Sequence, residues 1–235
     1  MNYDSVPLRD FKELNDWETV IFVYQSALKQ VETKIDILNG EFQHRHKYNP
    51  IEHVKSRIKT PESIVKKLKR HGYESSIENM VRYVNDIAGI RISCSFTSDI
   101  YLIADMISKQ NDLTILARRD YMKNPKKSGY RSYHMLVTTP VFLSDSIIDT
   151  KVEIQIRTVA QDFWATLEHK MHYKFEGDGP DYITKELREC ARYVAELDTR
   201  MEELNNEIQK YVLTKFILCL RPGFIKCSYY TIRGF

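Results

Sequence analysis

Near the start of the chain, apolar residues recur at helical spacing. Val20, Tyr24, Ala27 with Leu28, Val31, Ile35 and Leu38 share one face, predicting a packing helix that Asn39-Gly40 would stop. Asn15 followed three residues later by Glu18 has the form of a capping box for it. Asn49-Pro50 and Thr60-Pro61 each set a capping residue before a proline at a first helical position, which predicts two short helices. The period then changes from helix to strand. In IRISCSF, Ile90, Ile92, Cys94 and Phe96 alternate with Arg91, Ser93 and Ser95, so Arg91 falls on a polar strand face. Ser98 opens a helix to about Lys109, and LTILAR and YRSYHMLVTT read as strands, the second with Tyr130, Ser132 and His134 on one face. KVEIQIRT points Val152, Ile154 and Ile156 one way and Glu153, Gln155 and Arg157 the other. Two helices follow, Thr158 to about Tyr173 and an amphipathic, heavily charged one from about Ile183 to Tyr211. Helices and strands mingle without strict βαβ alternation, so the expected class is α+β with a mixed sheet.

Composition narrows the picture. Across 235 residues, 43% are hydrophobic and 29% charged, with 8 Gly and 7 Pro, which excludes collagen-like, low-complexity and generally disordered chains. The 4 cysteines, Cys94, Cys190, Cys219 and Cys227, form no Cys-x-x-Cys pair, and the amino terminus lacks the basic start and apolar core of a secretory signal. The apolar run from Val212 to Leu220 is too short for a span and contains Lys215. A soluble cytoplasmic protein with reduced thiols and no membrane contact is expected.

A net charge of +3 implies no partner, but its distribution does. Lys55, Arg57, Lys59, Lys66, Lys67, Lys69 and Arg70 stand against Glu62 alone. Arg118, Arg119, Lys123, Lys126, Lys127 and Arg131 stand against Asp120 alone. These are either two solvated faces or, if the fold joins them, one pocket for a polyanion such as a nucleotide triphosphate. The sequence has no G-x-x-x-x-G-K-[ST], no G-x-G-x-x-G, no H-E-x-x-H and no His-Asp dipeptide. His169 and His172 lie three apart on one helix without partner ligands, and read as ordinary polar-face or packing residues.

Three linked pieces remain: DIAGIRI from Asp86, KKSGYRSYH from Lys126 and VEIQIRT from Val152. Together they resemble the synthetase domain of the RelA/SpoT-type alarmone synthetases, over roughly Ile51 to Tyr211. The chain looks like a small, synthetase-only member, because it lacks the His-Asp hydrolase domain of the long ones. The resemblance implies a nucleotidyltransferase-like mixed sheet flanked by helices. It also implies transfer of the β,γ-pyrophosphate of ATP to the 3′-hydroxyl of GDP or GTP, the (p)ppGpp synthesis of the stringent response. Asp86 and Glu153 match the family's magnesium ligands, with Glu153 also placed to take the hydroxyl proton; the bland alternative for either is a salt bridge to a neighbouring arginine. Arg57 and Arg91 match adenine-clamping arginines, and Lys59, Lys67 and Arg70 match positions that face ATP phosphates. Lys126 and Ser128 match the loop that meets guanosine phosphates, and Tyr130 the residue that stacks on guanine. His134, Gln155, Arg157 and Glu168 match positions that order the acceptor, although Arg157 could instead brace Glu153, and His134 and Tyr130 could be core residues.

These assignments divide the chain into a helical extension over 1–50, a catalytic domain over 51–175, a helix over 176–211 suited to an oligomer contact, and a tail over 212–235 with no assigned role. Lys127 and Asp162 stand where close relatives often carry an acidic residue and an Asn, which bears on the choice among GMP, GDP and GTP. The flanking helices carry more apolar face than one small sheet needs, and family members form homotetramers. Two rival readings remain: a pyrophosphokinase acting on adenosine nucleotides or tRNA 3′ ends, and an RNA-binding regulator whose basic clusters track a phosphate backbone.

Overall fold

The computed structural model describes residues 16–174 and 181–219, with side-chain surroundings for 16–171 and 182–211. In chain order it forms α1 (Trp17–His46), β1 (Ile51–Ile58), α2 (Pro61–Arg70), α3 (Ile77–Tyr83), β2 (Ala88–Cys94) and α4 (Thr97–Ser108). Then come β3 (Thr114–Asp120), β4 (Tyr133–Phe142), β5 (Ile147–Thr158), α5 (Val159–Lys174) and α6 (Asp181–Cys219). The sheet runs β1-β2-β5-β4-β3, with β2 and β5 parallel and every other pair antiparallel, the mixed sheet that the pattern predicts.

Helix α1 buries Val20, Val23, Tyr24, Ala27, Leu28, Val31 and Ile35 and packs across β1, β2, β4 and β5. It is one layer of the main core. Its cap is Asp16, whose carboxylate accepts from Thr19 N, rather than Asn15. Asn39-Gly40 does not stop it either. A glycine inside a helix costs only about 1 kcal/mol, and the helix continues to His46, where Lys47 turns left-handed at φ 55.

The helix expected after Asn49-Pro50 is a strand. Asn49 does make a capping-type bond, its Oδ1 accepting from Ile51 N, but pairing with β2 from Val54 opposite Ile92 to Ile58 opposite Ala88 selects extended backbone. Local capping chemistry opens turns as well as helices. By contrast, Thr60 caps α2 as expected, accepting from Ser63 N with Pro61 in the first turn. Helix α4 begins at Thr97, its Asp99 carboxylate accepting from Phe96 N. Strand β4 begins only at Tyr133, so Tyr130 lies in the preceding loop. Helix α6 passes Tyr211 without a break to Cys219, so the boundary read at 211 falls inside a helix; residues 220–235 lie outside the described residues.

Candidate active site

Strand register builds the site as two rows across the sheet's polar face. In the first, Lys55, Arg91, Gln155 and His134 stand opposite one another on β1, β2, β5 and β4. In the second, Arg57 on β1 faces Gly89 on β2, and Gly89 faces Glu153 on β5. Space above Gly89 is open, with nothing within 4 Å of where a Cβ would sit. The missing side chain leaves a notch between an arginine and a carboxylate. Arg57, Asp86, Gly89, Arg91, Glu153 and Gln155 line the resulting cavity of about 210 Å³.

Asp86 enters from the loop between α3 and β2. Its carboxylate accepts from Lys59 Nζ at 2.9 Å and from Lys67 Nζ at 2.7 Å. Burial alone would raise its pKa, but these two ammonium groups outweigh burial and hold the carboxyl below its ordinary range. Behind that loop, buried Lys151 of β5 donates to Arg82 O and Asn85 Oδ1. Its burial pulls the ammonium pKa down to about 8.

Glu153 sits in a closed ring of side chains. Arg157 donates to Gln155 Oε1 at 2.6 Å, and Gln155 Nε2 donates to Glu153 Oε2 at 2.9 Å. On the other branch, Arg157 donates to the Tyr130 hydroxyl at 3.1 Å, and that hydroxyl lies 2.9 Å from His134 Nε2. His134 Nδ1 closes the ring 3.6 Å from Glu153 Oε1. Both branches therefore run from one buried guanidinium to one carboxylate. Burial pushes the Glu153 carboxyl upward, but contacts with His134 and Gln155 outweigh it and the net shift is downward. Burial pushes His134 downward more than Glu153 pushes it up, so the imidazole is neutral at neutral pH. Glu153 is therefore an anionic carboxylate, as an acceptor of a proton or a cation must be.

The sequence alternatives can be resolved into contacts. Arg157 does not brace Glu153 directly but through Gln155, and it is 2% exposed. Asp86 pairs with lysines, not arginines. Tyr130 is half core, its ring packing against the cluster of Trp164, Ala165 and Ala191, while Lys126 Nζ lies 4.6 Å from the ring centroid and the Tyr130 hydroxyl belongs to the ring around Glu153. Ser128 Oγ accepts from Tyr130 N at 3.4 Å, shaping the loop. Arg70 is exposed at the end of α2, and Glu168 is half-buried on α5; neither lines the cavity. His169 is exposed, and the side chain of His172 lies outside the described residues.

Two contributors escaped the sequence reading. Among the described residues Gly89 is the lone glycine in a strand, a pattern that itself marks close approach of a ligand or another backbone. Asp162, noted there only as a departure from the usual Asn, stands 3.5 Å from Arg91 and 3.6 Å from Arg157. It links the row that carries Arg91 to the ring around Glu153.

Among the described residues no three His, Cys, Asp or Glu side chains converge as a metal cage. The two carboxylates that face the cavity, Asp86 and Glu153, are nevertheless the hard oxygen donors Mg²⁺ accepts when substrate phosphates and water complete its shell, so the donor set fits that ion.

A mixed sheet that gathers one loop carboxylate, Asp86, and one strand carboxylate, Glu153, with lysines and arginines around a notch has the make-up of a phosphoryl-handling nucleotide site. The chain matches the family described as "Region found in RelA / SpoT proteins" over residues 56–178, and it belongs to that family. It is 45% identical over 195 residues to the GTP pyrophosphokinase YwaC of Bacillus subtilis, covering 83% of this chain and 93% of the relative. Small alarmone synthetase 2 from Bacillus subtilis superposes at a TM-score of 0.75 with 44% identity, over 82% of this chain and 100% of that one. Small alarmone synthetase 1 from the same organism, solved bound to its product pppGpp, superposes at 0.77 with 34% identity, over 82% and 98%.

Proposed function

We propose that this protein is a (p)ppGpp synthetase that transfers the β,γ-pyrophosphate of ATP to the 3′-hydroxyl of GDP or GTP. The observation that carries the reading is Glu153, anionic and fixed by the side-chain ring through Gln155 and His134, sharing one cavity with Arg57, Arg91 and the Asp86 carboxylate that Lys59 and Lys67 hold. In this reading Arg57 and Arg91 sandwich adenine, while Lys59, Lys67 and Arg70 take the donor phosphates. Lys126 and Ser128 meet the acceptor phosphates and Tyr130 stacks on guanine. Gln155, Arg157, His134 and Glu168 order the acceptor around Glu153.

The 3′-oxygen attacks the β-phosphorus, the bond from the α,β-bridging oxygen to that phosphorus breaks, AMP leaves, and the hydroxyl proton goes to Glu153. Because little covalent work falls to the protein, its side chains act by neutralising charge and aligning the two nucleotides. Asp86 and Glu153 would hold Mg²⁺, which when bound supplies charge stabilisation to the transferring phosphates.

Purified protein incubated with ATP, Mg²⁺ and, separately, GMP, GDP, GTP, an adenosine nucleotide and tRNA tests this. Pyrophosphorylated guanine nucleotides are expected. Product from the adenosine nucleotide or tRNA alone would overturn the reading in favour of the rival acceptor. In a parallel arm with Mn²⁺, added ppGpp should remain intact; release of pyrophosphate above a Glu153→Gln control would overturn the synthetase-only reading.

Arg91→Ala should weaken ATP by roughly tenfold, about 1.4 kcal/mol, and leave the guanine nucleotide much less affected. Equal losses in titrations of both would contradict its donor-side assignment.

Assembly and location follow from the same reading. Tyr193, Leu197, Met201, Leu204, Ile208 and Tyr211 form an exposed stripe along α6 at spacings of three and four, the pattern of a helix that packs on another copy. A homotetramer acting on cytoplasmic nucleotides fits it. No helix among the described residues is long and apolar enough to cross a membrane.

A further inference from the structure

Gly129 and Ala191 touch more closely than any two side chains could. Gly129 has φ +92, and a Cβ placed on it would lie 2.5 Å from Ala191 Cβ, so the loop backbone rests directly on α6. Ala191 is 3% exposed and belongs, with Trp164 and Ala165, to a small apolar cluster separate from the main core, against which Tyr130 packs. Trp164 Nε1 donates to Leu187 O at 2.9 Å, fixing α5 to α6 one turn before Ala191. The loop itself is tight: Gly129 N donates to Lys126 O at 2.8 Å and Lys126 N to Tyr130 O at 3.1 Å. A shift of Gly129 therefore carries Lys126 and Tyr130 with it. Beside the contact opens a cavity of about 440 Å³, lined by Lys123, Pro125 and Gly129 on the loop side and by Arg188, Ala191 and Arg192 on the helix. Loop and helix thus meet closely at this seat rather than over a broad face.

We infer that α6 is a positioning element for the acceptor loop, and that Ala191 is its positioning residue, setting where Lys126 and Tyr130 stand. This rests on the assignment of those two residues to the guanine nucleotide. A stiff, β-branched side chain at 191 must push Gly129 away, because its single favoured helical rotamer leaves it little freedom to turn aside, whereas a leucine could swing into the neighbouring cavity.

Ala191→Ile and the smaller Ala191→Val are the variants, with Ala191→Ser as the size-conserving control and Tyr130→Ala beside them. Steady-state KM for GDP and for ATP, kcat and the melting temperature are measured on each full-length protein. Ala191→Ile should raise KM for GDP about tenfold and Ala191→Val by less, with KM for ATP within about twofold and Ala191→Ser close to the unaltered protein. A merely structural role would raise both KM values together or lower kcat and melting temperature alone, and either result overturns the inference. If the Ile variant does not fold, the Val variant decides by the same ratio. If Tyr130→Ala raises KM for GDP while both Ala191 variants leave it unchanged, the seat is overturned and the acceptor assignment stands. If Tyr130→Ala leaves KM for GDP unchanged, the acceptor assignment itself falls, and this inference with it.

Discussion

Glu153→Gln should lower single-turnover pyrophosphate transfer by at least ~10²-fold at saturating Mg²⁺. The substitution keeps size and hydrogen-bonding capacity but removes the charge that accepts the hydroxyl proton. The ring sharpens this expectation. Gln155 Nε2 donates to Glu153 Oε2, and an amide at 153 can still accept there, so the fold around Arg157 and Tyr130 should survive. Substrate affinities near normal, a melting temperature near normal and a collapsed chemical step are the expected combination. Near-normal turnover would remove Glu153 from the mechanism.

Tyr130→Ala should weaken the guanine nucleotide by roughly 5- to 150-fold, since base stacking on an aromatic ring is worth about 1–3 kcal/mol. ATP affinity should change far less. Because the ring also packs on Trp164, Ala165 and Ala191, a lower melting temperature accompanies the loss, and the ratio of the two binding changes is what decides. Equal damage to ATP and GTP binding would sink the stacking assignment. Tyr130→Phe is the informative partner. From sequence, losing the hydroxyl matters only if it holds a specific bond; in the structure it bridges Arg157 and His134. The Phe variant should therefore keep guanine affinity yet lose about fivefold in kcat, the worth of about 1 kcal/mol for one buried hydrogen bond. A Phe variant indistinguishable from the unaltered protein would show that the ring around Glu153 tolerates a gap.

The legible parts of the site were those that depend on short-range period. Glu153, Gln155 and Arg157 fall on one face of β5 because side chains alternate along any strand, and the sequence shows that alternation directly. Register across strands is a different matter. Nothing near Asn49-Pro50 distinguishes a cap that starts a helix from a turn that starts a strand; only pairing with β2 makes Lys55 and Arg57 neighbours of Arg91 and Gly89.

The same division holds throughout the molecule. Sequence alone determined the α+β class, the helix face that becomes the inner layer of the core, the two basic clusters and the three motifs that mark the family, because each is written in residues a few positions apart. Tertiary structure alone decided that Lys59 and Lys67 neutralise Asp86, that four side chains close a ring on Glu153, that Asp162 stands between two arginines, and that Gly129 rests on Ala191. Each of these arrangements is completed by a contact between residues far apart in the chain: Lys59 with Asp86, Arg157 with Tyr130, Arg91 with Asp162, Gly129 with Ala191. Their geometry follows from sheet register and from burial against other elements, neither of which any local stretch of chain encodes.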